Sequence, residues 1–254
     1  SVVFGLTLLF AASLTASAEE YDTSVAKYGA SDKIHFTSET LYYKNGADST
    51  QAEITDWNAK YDPATNTLHL RNYKGGYTAL VGYTKNVSPK LQLSGENEIY
   101  VGAAKQEEAG LYIYSTQYFG YITSVDGGTL DIKLEHIAAE NERMYGLWCT
   151  DLRDACIVNG SAKIKISVTN PTRVSLFRMS GIYSDNRTFD IRVEENASLD
   201  VGMSYETTVG MDGSAGITAN LIADTSGSVS VDTSSCYAIC AIKGSLQVKR
   251  AKQV

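Results

Sequence analysis

Segments that begin with glycine and an apolar residue recur along the second half of the chain at nearly constant spacing. Four of them begin at Gly110, Gly146, Gly181 and Gly216, and a degraded fifth begins at Ala238. The successive spacings are 36, 35, 35 and 22 residues. A period of this length is typical of a repeat architecture in which each repeat is one supersecondary unit.

Each repeat contains three short apolar stretches, and the third alternates strictly between apolar and polar residues. In the repeat that begins at Gly146 the stretches are residues 146–148, 155–158 and 163–168. Three strands joined by turns rich in Gly, Asn, Asp and Ser form one coil of a solenoid, with each strand paired to its counterpart in the next coil. We therefore predict an all-β fold, a right-handed parallel β-helix with three strands per coil. A β-sandwich is the alternative, but sandwiches do not repeat every 35 residues.

The alternation predicts which side chains face the interior. The first strands contribute one inward column: Leu111, Leu147, Ile182, Ile217 and Ile239. The third strands contribute another: Leu130/Ile132, Ile164/Ile166, Leu199/Val201, Val229/Val231 and Leu246/Val248. The residues between them face solvent and form a predicted ladder of polar and charged groups: Asp131, Lys165, Asp200, Ser230 and Gln247.

The region before the repeats has a different pattern. Residues 57–61 and 67–70 flank an Asp62-Pro63 turn, which predicts a β-hairpin because proline presets the backbone of a turn. A solenoid needs a cap over its first open coil. We divide the chain into a signal peptide (1–18), an exposed N-terminal segment (19–40), an N-terminal β-hairpin and meander cap (41–104) and the β-helix coils (105–254).

Residues 1–18 carry no charge, contain an apolar run at 2–10 and end in Ala16-Ser17-Ala18. This is the pattern of a secretory signal peptide and its cleavage site, whereas the run is short for a membrane-spanning helix. We expect secretion, an extracellular location that can include attachment to the cell surface, and no membrane insertion after cleavage. No initiator Met or basic segment precedes the run, so we expect the natural chain to begin further upstream.

The net charge of −7 argues against some classes of binding partner. An acidic chain is a poor ligand for nucleic acid or anionic lipid.

The four cysteines suit an oxidising compartment but match no zinc spacing; they are Cys149, Cys156, Cys236 and Cys240. The last two would lie roughly 13 Å apart if extended, too far for a disulfide without a tight turn. Their pairing stays open.

Three sequence features together resemble a known family. They are residues 57–75, which run from Trp57 through the Asp-Pro turn to Gly75, residues 91–97 (Leu-Gln-Leu-Ser-Gly-Glu-Asn), and the Gly-Ile-Tyr-like repeats. Over roughly residues 41 to 248 the chain resembles secreted bacterial proteins described as carbohydrate-binding-domain-containing, which fold as right-handed parallel β-helices. The resemblance implies an extracellular location and polysaccharide binding. Related β-helices include pectate lyases and pectin-binding proteins with calcium sites, which makes calcium the one cofactor to consider.

Candidate catalytic residues are few. Asp151, Asp154 and Asp185 lie near the first turn of successive coils, where Asp and Asn are favoured because they tolerate the left-handed backbone conformation. The histidines are scattered at positions 35, 69 and 136, and no catalytic or phosphate-binding motif is present. We expect no catalytic residue and no metal ligand, with a polysaccharide lyase or hydrolase as the minor alternative.

Three aromatic residues are the predicted ligand-binding site. If the neighbouring Leu111, Leu147 and Ile182 point inward, Tyr112, Trp148 and Tyr183 point outward as a column, and flat rings suit sugars. The alternative is a ladder of rings that stacks on itself or lies under a loop. We expect a non-catalytic carbohydrate-binding or adhesion module at the cell surface. A structural solenoid that spaces other modules is the second reading, and burial of the rings would favour it.

The last predicted strand, residues 245–248, alternates like its predecessors, and only six residues follow it. They are too few for another coil or a covering helix. An open coil exposes unpaired backbone groups and invites edge-to-edge association. We therefore expect further coils or a wall-anchoring module downstream, and end-to-end self-association through this rung where it is uncapped.

Overall fold

A computed structural model describes the main body of the chain. The described residues are 34–35, 41–43, 57–62, 64–76, 78–82, 87–102, 108–135, 143–170, 178–186, 188–205, 215–233, 237–239 and 246–250. The predicted signal peptide lies outside them, as does the predicted N-terminal segment apart from residues 34–35. Within these ranges the regular structure is β-strand, and no helix is long and apolar enough to cross a membrane.

The strands are short, as the spacing of the turn residues predicts. In chain order they are β1 (Ile34–His35), β2 (Leu41–Tyr43), β3 (Ala59–Asp62), β4 (Thr67–Arg71), β5 (Lys74–Gly75), β6 (Thr78–Gly82), β7 (Lys90–Ser94), β8 (Glu96–Gly102), β9 (Glu108–Ser115), β10 (Phe119–Ser124), β11 (Thr129–Glu135), β12 (Arg143–Thr150), β13 (Ala155–Gly160), β14 (Lys163–Asn170), β15 (Arg178–Ser184), β16 (Asp190–Glu195), β17 (Ser198–Tyr205), β18 (Ala215–Thr218), β19 (Asn220–Thr225), β20 (Val229–Thr233), β21 (Tyr237–Ile239) and β22 (Leu246–Arg250).

These strands form three sheets that the chain visits in turn. Sheet 1 has the order β1-β6-β9-β12-β15-β18-β21, sheet 2 the order β2-β3-β4-β7-β10-β13-β16-β19-β22, and sheet 3 the order β5-β8-β11-β14-β17-β20. From β4 onward each strand pairs in parallel with the strand three places later. The predicted all-β parallel solenoid with three strands per coil is confirmed.

The inward column of sheet 1 has the predicted register. Leu147 lies opposite Leu111 on one side and Ile182 on the other, and Ile182 lies opposite Ile217. These four side chains are at most 1% exposed, so they form core as predicted. Ile239, in β21, lies opposite Ile217, and the Ile239 side chain is outside the described part of the structure. Stacking of like residues one rung apart buries each coil against its neighbours, because a single coil has no closed core.

Sheet 3 confirms most of the second predicted column. Its inward side chains are buried from Leu130 to Val229, and Val231 is partly buried. The outward positions align as the ladder Asp131, Lys165, Asp200 and Ser230. Lys133 Nζ lies 3.0 Å from Glu98 Oε1 on the neighbouring strand and 3.2 Å from Asp131 Oδ2 on its own strand, and each charge pair is worth tenths of a kcal/mol.

The assignment of residues 246–248 to this column is wrong. In β22 Leu246 lies opposite Leu221 and Val248 opposite Ala223, so both belong to sheet 2, and Gln247 lies opposite Ile222 rather than continuing the ladder. Every earlier coil passes from sheet 1 to sheet 2 before sheet 3. The alternation of apolar and polar residues could not show to which sheet these residues belong, because strands of sheets 2 and 3 both alternate with a period of two residues.

The predicted hairpin is present. β3 and β4 pair antiparallel, and β2 pairs antiparallel with β3. The Asp62 carboxylate accepts hydrogen bonds from the Ala64 N–H at 2.9 Å and the Thr65 hydroxyl at 2.9 Å, and Asn66 adopts a left-handed φ of 53°. Local side-chain bonds of this kind hold a turn in place.

Parallel coils begin earlier than the predicted boundary between cap (41–104) and coils (105–254). β4 pairs in parallel with β7, β5 with β8 and β6 with β9. Leu91 and Leu93 stack directly on Leu68 and Leu70, and all four are buried. In β6, Thr78 and Ala79 lie opposite Leu111 and Tyr112, so this coil does not begin with the pattern of the later repeats and is recognised by its inward alternation.

The glycine that opens each repeat lies within a strand of sheet 1, in β9, β12, β15 and β18. A Cβ atom on Gly146 would overlap Ile166 Cγ2 and would lie 2.6 Å from the carbonyl oxygen of Gly181. Gly110 and Gly181 are crowded in the same way by the sheet 3 strand of their own coil and by the glycine carbonyl of the next coil. The repeat therefore begins with glycine because no side chain fits between the backbone and sheet 3.

Candidate functional site

The three predicted site residues lie together in register on sheet 1. Trp148 is opposite Tyr112 and Tyr183 on adjacent rungs. The Trp148 ring lies 4.9 Å from the Tyr112 ring and 6.5 Å from the Tyr183 ring, measured between centroids. The predicted column therefore exists as a structural feature.

The expectation of an exposed column is corrected for its two tyrosines. Tyr112 is 8% exposed and Tyr183 is 9% exposed, whereas Trp148 is partly buried. Tyr114 lies 6.2 Å from Tyr112 in a stacked arrangement, and Tyr145 stacks on Tyr183 at 4.3 Å. The rings cover one another, as in the alternative reading of a ladder that stacks on itself.

Tyr145 was not predicted to lie with the outward aromatic residues, and the reason is physical. Strict alternation from the inward Leu147 would place Tyr145 inside as well. The chain instead bends at Gly146, and the Tyr145 ring packs 5.2 Å from the outward Trp148. The signal available in the sequence was a glycine directly after an aromatic residue, in the run Tyr145-Gly146-Leu147-Trp148. We call the residues Tyr112, Tyr114, Tyr145, Trp148 and Tyr183 the aromatic cluster.

The polar edge of Trp148 points towards the first turn of the next coil. Its indole Nε1–H donates to Asp185 Oδ2 at 3.3 Å, and the Thr150 hydroxyl donates to the same oxygen at 3.0 Å. One carboxylate therefore fixes the indole and connects two coils. The aromatic cluster ends at this contact and the polar turn region begins.

Beside this contact is a recess of about 400 Å³. It is lined by Asp151, Leu152, Arg153, Asp185 and Asn186, from the turns that follow β12 and β15. Asp151 has a left-handed φ of 58°, which agrees with its interpretation as a turn residue. Two predicted acidic residues thus meet at one opening together with a guanidinium and an amide.

Stacked turns hold the recess in shape. The Asn186 side-chain amide donates to the backbone carbonyls of Leu152 at 3.4 Å and Arg153 at 3.1 Å, which ties the two lining turns together. The Arg153 N–H donates to the Gln117 carbonyl at 3.0 Å on the preceding coil. The Arg153 guanidinium lies 5.5 Å from the Tyr118 ring centroid, and Tyr118 is 60% exposed.

Asp154 does not line the recess. The Arg192 guanidinium lies 3.3 Å from the Asp154 carboxylate and 2.9 Å from the Asp190 carboxylate. Asn220 also donates to Asp190 at 2.9 Å. The third acidic residue of the predicted set therefore belongs to an ion-pair network on the outer face of sheet 2.

The histidines lie away from the recess or outside the described residues. His69, in β4, packs edge-on against Trp57 with centroids 6.4 Å apart, and burial together with nearby Lys60 lowers its pKa. His35 lies in β1, and His136 falls outside the described ranges. Among the residues that the structure describes, no cluster of three or more His, Cys, Asp or Glu side chains is placed to hold a metal ion.

The recess beside Trp148 is thus the place where the predicted aromatic and acidic residues meet. Two carboxylates, an amide and a guanidinium line it, while the Trp148 indole contacts Asp185 and the exposed Tyr118 ring lies near Arg153. The chain matches no protein-family model, and comparison with curated proteins and with solved structures gives no significant match.

Proposed function

We propose that the protein is a secreted or cell-surface, non-catalytic module that binds a polysaccharide at the recess beside Trp148. The observation that carries the proposal is the juxtaposition of this indole with a polar opening of about 400 Å³. Sugar rings present one apolar face and a rim of hydroxyls. Aromatic rings accept the face, and carboxylate, amide and guanidinium groups bond the hydroxyls.

The proposed site differs from the predicted column. Trp148 stays at its centre, while the buried Tyr112 and Tyr183 support the indole from both sides. Asp151 and Arg153 come from one coil and Asp185 from the next, so a ligand would lie across the turns of two coils. Binding energy from such a site depends on residues that the packing already holds in place.

Charge favours a neutral glycan over an acidic one. The lining includes two carboxylates, Asp151 and Asp185, and one guanidinium, Arg153, and the whole chain carries a net charge of −7. A polyuronate would meet repulsion unless a cation such as calcium bridged the two sets of carboxylates. Neutral polysaccharides should therefore bind without calcium, and acidic ones only with it.

The hydrogen bonds and ion pairs of the acidic residues support the proposal of a non-catalytic module. A glycoside hydrolase uses a pair of carboxyl groups as acid and base, and a pectate-lyase-type enzyme uses acidic calcium ligands together with a cationic base. Here Asp185 accepts hydrogen bonds from Trp148 and Thr150, and Asp154 pairs with Arg192. One of the two recess carboxylates is therefore held by its neighbours, and Asp154 is paired outside the recess, which suits binding and positioning.

We expect Trp148→Ala to weaken retention in a polysaccharide-containing native gel about tenfold, because it removes the ring whose Nε1–H donates to Asp185 at the edge of the recess. Asp185→Ala should weaken retention in the same direction. Lys165→Ala, which changes an exposed residue on sheet 3, is the matched control and should leave retention unchanged.

Tyr112→Phe and Tyr183→Phe test the buried rings separately, because each keeps the ring and removes only a hydroxyl. We expect near-normal retention for both. Full retention of a folded Trp148→Ala protein on a glycan that the parent binds would reject the recess as the binding site.

A structural surface solenoid is the second candidate, and the burial of the aromatic cluster favours it. Rings that stack on one another stiffen the face of sheet 1 without any ligand. If the parent protein is retained by no polysaccharide, with or without calcium, this reading replaces the first. End-to-end self-association stays a prediction, and light scattering over a concentration series would test it.

A further inference from the structure

Two buried cysteines flank the turn that lines the recess. Cys149 lies near the end of β12 and Cys156 near the start of β13. Both side chains are 0% exposed, and both thiols are free. The turn between them contains Asp151, Leu152 and Arg153, three of the five residues that line the recess.

The two cysteines occupy inward positions that meet at the corner between sheets 1 and 2. One rung earlier the same positions are held by Ile113, opposite Cys149, and Gly120, opposite Cys156. A Cβ atom on Gly120 would lie 3.5 Å from Ile113 Cγ2, so side chains at these two positions are in contact. The Cys149 and Cys156 thiols are themselves hydrogen-bonding partners.

We infer that Cys149 and Cys156 form a disulfide, which closes the recess turn into a covalent ring. The bond forms between the two Sγ atoms as each thiol gives up a proton. The two electrons pass to a small-molecule or protein disulfide, which is released as two thiols. The inference concerns the stability of the turn and does not depend on what the recess binds.

The bond must form while the chain is folding. The reacting species is the thiolate, and burial raises the pKa of the Cys149 thiol, so the folded protein keeps it protonated. Neither sulfur can be reached by an oxidant once the coils above and below have packed, because both side chains are 0% exposed. Export, which the N-terminal sequence predicts, would bring the unfolded chain into an oxidising compartment.

The test uses the full, unsubstituted chain. The reduced, denatured protein is refolded in a mixture of reduced and oxidised glutathione, free thiols are alkylated, and the unfolded product is digested with trypsin. Arg153 lies between the two cysteines, so cleavage there separates residues 144–153 from residues 154–163. We expect these two peptides to remain linked and to separate only on reduction. The linked form should unfold at a urea midpoint about 1 M higher than the reduced form.

Two results would overturn the inference. The first is a product with native circular dichroism in which both peptides carry an alkylated cysteine. The second is a link from either peptide to Cys236 or Cys240, which would show a different pairing. A matched sample, folded in reductant before the same glutathione mixture is added, should stay reduced. Rapid oxidation of that sample would show that the bond does not require an unfolded chain.

Discussion

Leu147→Asp is expected to unfold the coils on both sides of β12 and to lower the free energy of unfolding by about 4 kcal/mol or more. Leu147 is 1% exposed and is stacked between Leu111 and Ile182. The substitution removes a core side chain and places an unpaired carboxylate between two apolar rungs. Urea unfolding followed by circular dichroism measures the change.

The control for this variant introduces the same charge on the outer surface. Ser167 lies opposite Lys133 on sheet 3 and is not part of the buried column. Ser167→Asp should change the free energy of unfolding by no more than about 0.5 kcal/mol. A Leu147→Asp protein that unfolds within that range of the parent would show that the inward register is wrong.

Gly181→Val is expected to destabilise the protein by about 3 kcal/mol, because the space between Gly181 and sheet 3 cannot hold a side chain. A Cβ atom there would overlap Val201 Cγ1 and lie 2.7 Å from the Gly216 carbonyl oxygen. Both neighbours belong to packed strands, so relief requires the separation of sheets 1 and 3. The same urea titration measures the loss.

Gly202→Ala provides the comparison within the same sheet system. A Cβ atom at Gly202, in β17, would meet only the Ile166 carbonyl oxygen, at 3.8 Å. Since alanine restricts the unfolded chain, this variant should be neutral or more stable by about 0.5 kcal/mol. Equal destabilisation by Gly181→Val and Gly202→Ala would show that crowding against sheet 3 is not why the repeats begin with glycine.

The coil and its inward columns could be predicted because they depend on two periodicities that are visible in the sequence, one of about 35 residues and one of two residues. The 35-residue spacing of Gly146, Gly181 and Gly216 predicts the coil, and alternation predicts that Leu147 and Ile182 are core. The sheet to which residues 246–248 belong could not be predicted in the same way. Sheets 2 and 3 both alternate with period two, and only the order of the chain through the sheets distinguishes them.

The candidate site was predicted only in part. Trp148 was recognised as an aromatic residue of the column, and Asp151 and Asp185 as acidic residues of the turns. The two sets were not combined, because the sequence does not show that a ring on one coil reaches a turn on the next. Tyr145 was missed because the bend at Gly146 interrupts the alternation. Exposure of Tyr112 and Tyr183 was wrongly expected because outward direction was taken to mean access to solvent.

The recess takes one turn from each of two successive coils, residues 151–153 and residues 185–186. Neither coil alone makes the opening, so this surface is a property of neighbouring repeats rather than of a single repeat. A duplication of one whole coil would preserve every strand register and add another turn to the same edge, about 4.8 Å further along. Copy number, and not substitution within a repeat, is therefore what sets how far this row of turns extends along the solenoid.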